Sequence, residues 1–404
     1  MDKLFRGSLR IIVLAFVLLV RVSPAARAAA GEPKGPAALP KPGIEALVKI
    51  QNNFVKSGAP GSILLVEAPG FKYSRATGYA DVDKGKKLKP DSLFRIASVS
   101  KSFFGAMAAI LHVRGKINLD APLSATFPEV AARFAPKKDP KTGENWDPGT
   151  ITMRMLLNHS AGVADPLNDD MKECTGFKEA LLRHVAENTG PTDKEALDAV
   201  FSEGLMHKPG AGLRYSNGGY ILAAYLVEVA MKAHYSRVLR DEVLSPLRLE
   251  HTYNGVREKY DIANLAHGYN SWLIPGYEDY AVIDQGNGYA NGGLVSTAQD
   301  VSKFFHAVFN DPGFPPGIAK AEFLRQFLPG PDSPGAGGIA MGTGIVKDPQ
   351  GCYLHSGHFA GYLSQATYCP GPDLFIFVGL TSDSPALSQA KDRSIQQIRK
   401  LWIP

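Results

Sequence analysis

The apolar residues of the stretch FRIASVSKSFFGAMAAILHVRG, residues 94–115, run almost all the way round a helix. A helix that is apolar on every side is normally buried inside a protein. Ser98 and Lys101 nevertheless lie near its start, three positions apart, so we expect their side chains to share one face. A buried ammonium group is costly unless it is paired or neutral. The pattern therefore predicts a buried helix whose lysine must be either paired with another group or neutral.

The two ends of the chain carry matching sets of elements. Apolar spacing predicts a helix over 43–58 and strands over 62–68 and 72–80. The C-terminal end predicts four strands followed by an amphipathic helix: GIAMGTGIV (338–346), CYLHSG (352–357), YLSQATYC (362–369), LFIFVGLTS (374–382) and the helix at 386–402. The middle of the chain is mostly helical segments and turn-rich connectors, with no fixed-period repeat.

This order of elements predicts an α/β (α+β) fold. We expect an antiparallel sheet built from both chain ends, flanked by helices, with an all-helical insertion and a cleft between the two parts. One domain over residues 43–404 then has a sheet lobe, 43–124 plus 331–404, and a mostly helical lobe, 125–330.

The first thirty residues are typical of a secretory signal peptide. A basic leader precedes the ten-residue apolar run Ile11–Val20, and small residues allow cleavage after Ala28 or Ala30. Ten apolar residues are too few to span a bilayer, which disfavours the alternative of an uncleaved anchor. The Pro- and Gly-rich segment 31–42 then forms a flexible leader. We therefore expect a secreted or periplasmic protein without a stable membrane anchor.

Charge argues against nucleic acid as a partner. Residues 1–30 contain five basic residues and one acidic residue, so their removal lowers the formal net charge from +5 to +1. A nearly neutral mature chain lacks the basic surface that nucleic-acid binding requires.

The chain has three cysteines, Cys174, Cys352 and Cys369. Cys352 and Cys369 flank two predicted strands with a turn near 358–361, so antiparallel pairing places them opposite each other. Export permits a disulfide between them. Two buried free thiols are the alternative, and Cys174 is left over in either case.

Ser98 and Lys101 together suggest nucleophilic catalysis. A serine hydroxyl attacks only when a base removes its proton, and burial lowers the pKa of a lysine toward the amine form that can do so. The alternative is that Ser98 caps the helix and Lys101 extends to solvent. The same Ser-x-x-Lys spacing recurs at 388–391, on a charged amphipathic helix, where a solvated face explains it.

Two further polar groups could complete a site. Tyr215 and Asn217 lie in a loop just before a helix; a tyrosine hydroxyl can relay a proton and an amide can orient a substrate. A second Tyr-x-Asn, residues 289–291, carries little weight alone. His355-Ser356-Gly357 lies on a predicted strand, where the glycine would let a substrate approach and the histidine could be cationic or donate a hydrogen bond.

The remaining histidines and the cysteines show no metal-binding spacing, and no cofactor motif is present. His112 and His159 are interpreted as histidines without a catalytic role.

Taken in order, Ser-x-x-Lys, Tyr-x-Asn and His-x-Gly make the sequence resemble the serine β-lactamase and penicillin-binding protein superfamily, over almost all of 45–402. It is most similar to class C β-lactamases, secreted DD-peptidases and related esterases. The resemblance implies Ser98 as the acylated nucleophile and Lys101 and Tyr215 as the proton-transfer pair. Substrate binding falls to Asn217, His355, Ser356 and Gly357, and the backbone N–H groups of Ser98 and His358 form the oxyanion hole.

The resemblance implies a serine hydrolase that needs no cofactor. Many β-lactamases have lysine where this chain has His355, so a substrate carboxylate would be held less firmly here. We therefore expect cleavage of an amide in a D-amino-acid peptide, in the manner of a DD-carboxypeptidase, with small molecules, peptides, peptidoglycan fragments or β-lactams as partners. The alternatives are a carboxylesterase, a β-lactamase, or a non-catalytic penicillin-fold protein that binds cell-wall fragments.

Overall fold

Two separated parts of the chain build one antiparallel sheet in the computed structural model, which describes residues 41–166, 192–269, 279–281 and 290–403. The expected signal peptide, most of the leader, Cys174 and Tyr289 lie outside the described residues. The strands, numbered along the chain, are β1 (Gly61–Ala68), β2 (Phe71–Asp81), β3 (Lys86–Lys87), β4 (Phe94–Arg95), β5 (Lys137–Lys138), β6 (Asn145–Trp146), β7 (Tyr253–Asn254), β8 (Leu294–Ser296), β9 (Gly335–Ala336), β10 (Ile339–Met341), β11 (Val346–Lys347), β12 (Tyr353–Phe359), β13 (Tyr362–Cys369) and β14 (Leu374–Leu380).

The large sheet joins the two chain ends directly. Its strand order within the described residues is β3-β2-β1-β14-β13-β12-β11-β10-β9. Strands β1 and β14 pair antiparallel from Ser62 opposite Leu380 to Glu67 opposite Phe375. The predicted fold class is confirmed: an antiparallel sheet from both chain ends, flanked by helices.

Helices cover both faces of this sheet. They are α1 (Lys41–Lys56), α2 (Ser100–Val113), α3 (Leu123–Thr126), α4 (Pro128–Ala131), α5 (Met153–Leu157), α6 (Asp193–Glu203), α7 (Asn217–Met231), α8 (Tyr235–Leu239), α9 (Ala298–Asn310), α10 (Lys320–Phe327) and α11 (Pro385–Arg399). Successive side chains of a strand point to opposite faces. Accordingly Leu64 and Val66 pack in a cluster with α1 and α11, whereas Ile63 and Leu65 belong to the main core with α2, α7 and α9.

Helix α2 is buried along almost its whole length, as the continuous apolar pattern predicts. Every residue from Ser100 to Leu111 is buried. A Cβ on Gly105 would lie 1.8 Å from the carbonyl oxygen of Thr343, so only glycine allows the helix to cross the backbone there. Such close packing fixes the end of α2 that carries Lys101.

The predicted strand at 338–346 is broken in the structure. Only Ile339–Met341 and Val346–Lys347 pair, and a turn at 342–345 separates them. Gly344 has a φ of +82°, and a Cβ there would lie 2.1 Å from the carbonyl oxygen of Lys101. The turn therefore packs against α2, and its glycines end the strand.

The middle of the chain is not all-helical. Strand β8 pairs with β4 on one side and β7 on the other, and β5 pairs with β6. The pairing of Phe94 with Ser296 holds the segment that follows Asn291 beside the start of α2. None of the described helices is long and apolar enough to cross a membrane.

The second Ser-x-x-Lys does not lie on a solvated face. Lys391 is only 3% exposed, and its ammonium donates to Gln365 Oε1 and to Asp392 Oδ1, both at 2.8 Å. The expectation from the charged pattern of α11 was wrong because Gln365, on β13, presents a polar group to that helix.

Strands β12 and β13 form a tight hairpin. They pair from Tyr353 opposite Tyr368 to Phe359 opposite Tyr362, so the turn is Ala360-Gly361. A disulfide joins Cys352 to Cys369 at the open end of the hairpin.

Candidate active site

Ser98 lies in a single 3₁₀ turn, Ala97–Val99, that leads into α2. Ala97 has a φ of +47°, in the left-handed region that costs an alanine about 1–2 kcal/mol. Neighbouring hydroxyls hold this turn: Ser364 Oγ donates to the carbonyl oxygen of Ile96 at 2.7 Å, and Ser100 Oγ donates to that of Ala97 at 2.6 Å. The backbone around Ser98 is thus fixed in a strained conformation, as is common at functional sites.

Gly357 packs against this turn. A Cβ at position 357 would lie 2.1 Å from Ser364 Oγ and 2.4 Å from the carbonyl oxygen of Ile96. The missing side chain therefore makes room for the Ser364 hydroxyl and the Ile96 carbonyl, and substrate binding at Gly357 stays a prediction. This glycine allows the strand that carries His355 to lie against the turn that carries Ser98.

Lys101 is fully buried and contacts three polar groups. Its Nζ donates to Ser98 Oγ at 3.0 Å, to Asn217 Oδ1 at 2.8 Å, and to the carbonyl oxygen of Asn291. Both amide oxygens can only accept, so they take two N–H bonds whatever the charge of the lysine. The remaining position faces Ser98, where a neutral amine offers its lone pair to the hydroxyl proton.

Burial lowers the pKa of Lys101 to about 7, and the negative charge of Asp165 opposes that shift. A substantial amine fraction is therefore present at neutral pH. This answers the question raised by the apolar helix: burial gives the lysine the charge state that a base needs.

Tyr215 reaches Ser98 from the loop just before α7. Its hydroxyl donates to Ser98 Oγ at 3.0 Å. Although 39% of the residue is exposed, loss of solvation around the hydroxyl raises the pKa of Tyr215, and the charge of Asp165 raises it further. The phenol therefore keeps its proton at neutral pH and can act as a donor.

The loop at 159–165 supports Tyr215 and Asn217 through His159 and Asp165, to which the sequence pattern assigns no role. His159 packs its ring against that of Tyr215, with centroids 4.2 Å apart, and its Nδ1 accepts from the N–H of Ser216 at 3.1 Å. Asn217 Nδ2 donates to the buried carboxylate of Asp165, at 3.1 Å from Oδ2. We therefore revise the interpretation of His159, which lies within this site. His112 lies at the opposite end of α2.

His355 is buried and neutral. Its Nδ1 lies 2.7 Å from the carbonyl oxygen of Ser356, which can only accept, so Nδ1 carries the proton. Burial and the charge of Lys101 lower the pKa of His355 to about 3. Its Nε2 therefore bears a lone pair, and that atom has no partner within the described residues. The expected cation or donor is here a neutral acceptor.

Ser356 does not join this group. It is exposed, and its hydroxyl donates to Gln365 Oε1 at 3.1 Å, next to Lys391. The alternation of side chains along β12 explains this, because residues 355 and 356 point to opposite faces of the sheet.

His358 follows Gly357 on the same strand. Phe359 and Tyr362 close a two-residue turn, and bonded and non-bonded pairs alternate along a hairpin, so the N–H of His358 points away from β13. The ring of His358 lies on the face of the sheet opposite to His355. There its Nε2 lies 3.1 Å from Oδ2 of the buried Asp383.

Asn291 contributes its backbone to the site. Its carbonyl oxygen accepts from Lys101, and its side-chain Oδ1 is buried without a partner in the described part of the chain. In the same ranges, no group of three or more His, Cys, Asp or Glu side chains is arranged to hold a metal ion.

Comparison with known proteins gives a consistent result. The family profile described as Beta-lactamase matches residues 47–400. Protein flp of Staphylococcus aureus (strain MW2) is 28% identical over 204 residues, which are 50% of this chain and 36% of that protein. Penicillin-binding protein 4* of Bacillus subtilis (strain 168) is 25% identical over 289 residues, 67% of this chain and 55% of that protein. The chain thus spans about half the length, or less, of these curated relatives.

One solved structure matches this chain over almost its own full length, unlike the curated relatives. The D-amino acid amidase from Ochrobactrum anthropi SV3, complexed with L-phenylalanine amide, superposes with a TM-score of 0.67 and 25% sequence identity. The match covers 89% of this chain and 99% of that one. The similarity therefore extends over most of both chains.

Proposed function

Because the chain belongs to the β-lactamase family, we propose that it is a serine hydrolase that forms an acyl-enzyme at Ser98. One observation carries the proposal: Ser98 Oγ lies 3.0 Å from both Lys101 Nζ and Tyr215 Oη. A hydroxyl that contacts a buried amine and a protonated phenol has both a base and a proton donor within reach.

Acylation follows from these contacts. The Lys101 amine takes the Ser98 proton as Oγ attacks the carbonyl carbon of the substrate. The backbone N–H groups of Ser98 and His358 stabilise the resulting oxyanion, and one such donor is worth about 3 kcal/mol. Tyr215 then protonates the leaving group and regains a proton from Lys101. Water attacks the acyl-enzyme with the same groups in reversed roles, and free Ser98 returns.

The neutral His355 guides the choice of substrate. A carboxylate beside the scissile bond would meet a lone pair at Nε2 where many relatives offer a cation. This favours substrates without that carboxylate, such as amino-acid amides, over β-lactams and over peptides cleaved at the C-terminal residue. The structural similarity to a D-amino acid amidase supports an amide substrate.

A carboxylesterase is the second candidate, and the same observation favours it. Simple esters also lack a carboxylate and need only the acylation machinery. The third candidate, a non-catalytic protein that binds cell-wall fragments, would not need a lysine held partly as the amine.

We also propose that residues 1–30 are removed on export, so that the enzyme acts in the periplasm or outside the cell. The basic leader and apolar run of that segment support this. N-terminal sequencing of protein from fractionated cells checks it: a first residue at 29 or 31 in the exported fraction agrees, and a full-length cytoplasmic product contradicts it.

Intact-mass spectrometry with turnover assays tests the activity. The mature protein and its Ser98→Ala variant are exposed in turn to D- and L-phenylalanine amide, a D-Ala-D-Ala peptide, a nitrophenyl ester and a penicillin. We expect turnover of the D-amide and an adduct with at least one substrate, both lost in the variant by on the order of 10⁴-fold. Ester turnover without amide turnover selects the second candidate. Equal behaviour of the two proteins with every substrate rejects catalysis.

A further inference from the structure

We infer that Asp165 is a positioning residue of this site: its carboxylate orients the amide of Asn217 and places a negative charge one amide group away from Lys101. The effect on turnover rests on the proposed function, whereas the effect on Lys101 itself does not. No sequence motif marks this residue, which lies in the loop after α5.

Asp165 and Lys101 together fix the orientation of the Asn217 amide. Its Oδ1 accepts from Lys101 at 2.8 Å, and its Nδ2 donates to Asp165, at 3.3 Å from Oδ1 and 3.1 Å from Oδ2. An amide can present either end to a partner, and only this orientation satisfies both neighbours. The carboxylate therefore sets which end of Asn217 faces the lysine.

The loop that carries Asp165 is held rigidly against the start of α7. Ser216 Oγ donates to the carbonyl oxygen of Ala164 at 2.9 Å. A Cβ on Gly218 would lie 2.1 Å from that same oxygen. Backbone contact and side-chain hydrogen bonds thus hold the loop at 159–165 against the start of α7. Asp165 cannot withdraw from Asn217 without moving the loop.

Asp165 also places a negative charge near Lys101. Among the described residues, the titratable and charged groups that face Lys101 are Tyr215 in the loop before α7, Tyr220 on α7, His355 on β12, and His159 and Asp165 in the loop after α5. The histidines are neutral, because burial lowers the pKa of each, and burial raises the pKa of both tyrosines. Asp165 is therefore the counter-charge that keeps the pKa of Lys101 from falling below about 7.

Asp165→Asn keeps the shape of the side chain and removes its charge. The ammonium form of Lys101 then loses its counter-charge, and we expect the protonation of Lys101 to move to lower pH by about one pH unit. Because Asn217 also loses a firm partner, we expect kcat to fall roughly tenfold to a hundredfold. A purely structural role would lower kcat without moving the titration.

The titration of Lys101 can be followed without turnover. Mature protein with ¹³C-labelled lysine is titrated by NMR, and the Lys101 signal is assigned by its absence in Lys101→Met. We compare the wild type with Asp165→Asn, Asp165→Glu and the matched control Asp300→Asn. Asp300 is also buried and hydrogen-bonded, to the N–H of His251 and the hydroxyl of Thr252, but it does not contact this site.

The inference predicts a lower titration midpoint in Asp165→Asn, a smaller change in Asp165→Glu and none in Asp300→Asn. An unchanged midpoint in folded Asp165→Asn overturns it. If Asp165→Asn does not fold, Asp165→Ser, which leaves room for water, is read in the same way. A shifted midpoint in a protein that turns over no substrate supports the role of Asp165 and rejects the proposed function.

Discussion

Three protonation states decide the chemistry at the level of single residues. Lys101 is partly an amine at neutral pH because its pKa is lowered to about 7, whereas Tyr215 stays a phenol because its pKa is raised. His355 is neutral because its pKa is lowered to about 3. These protonation states fit the proposed roles of the lysine as the base and the tyrosine as the proton donor.

This assignment predicts the pH dependence of the reaction. With a neutral substrate, kcat/KM rises as pH passes through about 7, because only the amine form of Lys101 can take the Ser98 proton. Rate measurements from pH 5 to 9 check this. The Tyr215→Phe control lowers the whole profile, by roughly 10²- to 10⁴-fold, and leaves the acid limb in place. An acid limb near the ordinary pKa of lysine would contradict the role of Lys101.

Replacing His355 by lysine tests the origin of substrate choice. His355→Lys adds a cation where the neutral ring now lies, so KM for a substrate with a carboxylate falls about tenfold relative to that for a neutral amide, equivalent to about 1.4 kcal/mol. Steady-state kinetics on a matched pair of substrates measure this. His355→Gln, which adds no charge, is the control. Equal substrate ratios in the two folded variants would show that position 355 does not set the preference.

At the level of elements, the site depends on how closely β12 lies against the Ser98 turn. Gly357→Ala places a Cβ 2.1 Å from Ser364 Oγ and 2.4 Å from the Ile96 carbonyl. We expect a loss of about 1–3 kcal/mol in the free energy of unfolding, together with a lower kcat as the turn shifts. Denaturant unfolding and kinetics measure the two effects.

Gly371→Ala is the matched control for this substitution, because a Cβ on Gly371 meets nothing within 4 Å. It lies in the turn between β13 and β14 and leaves both quantities close to wild type. If Gly357→Ala behaves like this control, the packing of β12 does not position Ser98.

Helix α2 and the long strands of the sheet could be predicted from the sequence alone. A continuous apolar helix with a serine and a lysine three positions apart was enough to place Ser98 at the start of a buried helix and to predict the burial of Lys101. Alternating strands at both chain ends were enough for the sheet. These features are local and repeat with a regular period.

The residues that sequence reasoning misjudged depend on contacts between distant segments. Asp165 lies in a loop without periodicity, and it meets Asn217 only because the loop after α5 packs on α7. The local sequence predicts that Lys391 is solvated, but β13 places Gln365 within hydrogen-bond distance of it. The broken strand at 338–346 is caused by the backbone of α2, which lies far away in sequence.

For the whole molecule, the site is assembled from five separate parts of the chain, 97–101, 159–165, 215–217, 291 and 355–358, and its lysine and the histidines at 159 and 355 are buried. Keeping His159 and His355 neutral there lowers the free energy of unfolding as pH falls. The cost arises because the unfolded chain binds protons that the folded site binds less well. The fold thus gives up acid stability for a reactive site.

This predicts how the whole protein unfolds in acid. The pKa of His159 is lowered well below its ordinary value and that of His355 is lowered to about 3. Both rings are therefore neutral in the folded state while the unfolded chain protonates them below about pH 6.5. His355 then lowers the free energy of unfolding by about 1 kcal/mol between about pH 6.5 and 5.5, and this loss continues toward about pH 3; His159 changes it in the same direction.

Lys101 adds little to this slope, because below its pKa of about 7 it is protonated in both states. Urea unfolding of the mature protein at several pH values measures the slope. His159→Gln and His355→Gln each flatten it, whereas the exposed control His251→Gln leaves it unchanged. Equal slopes in all four proteins would mean that the two buried rings accept protons in the folded state, and the neutral acceptor proposed at position 355 would then be a cation.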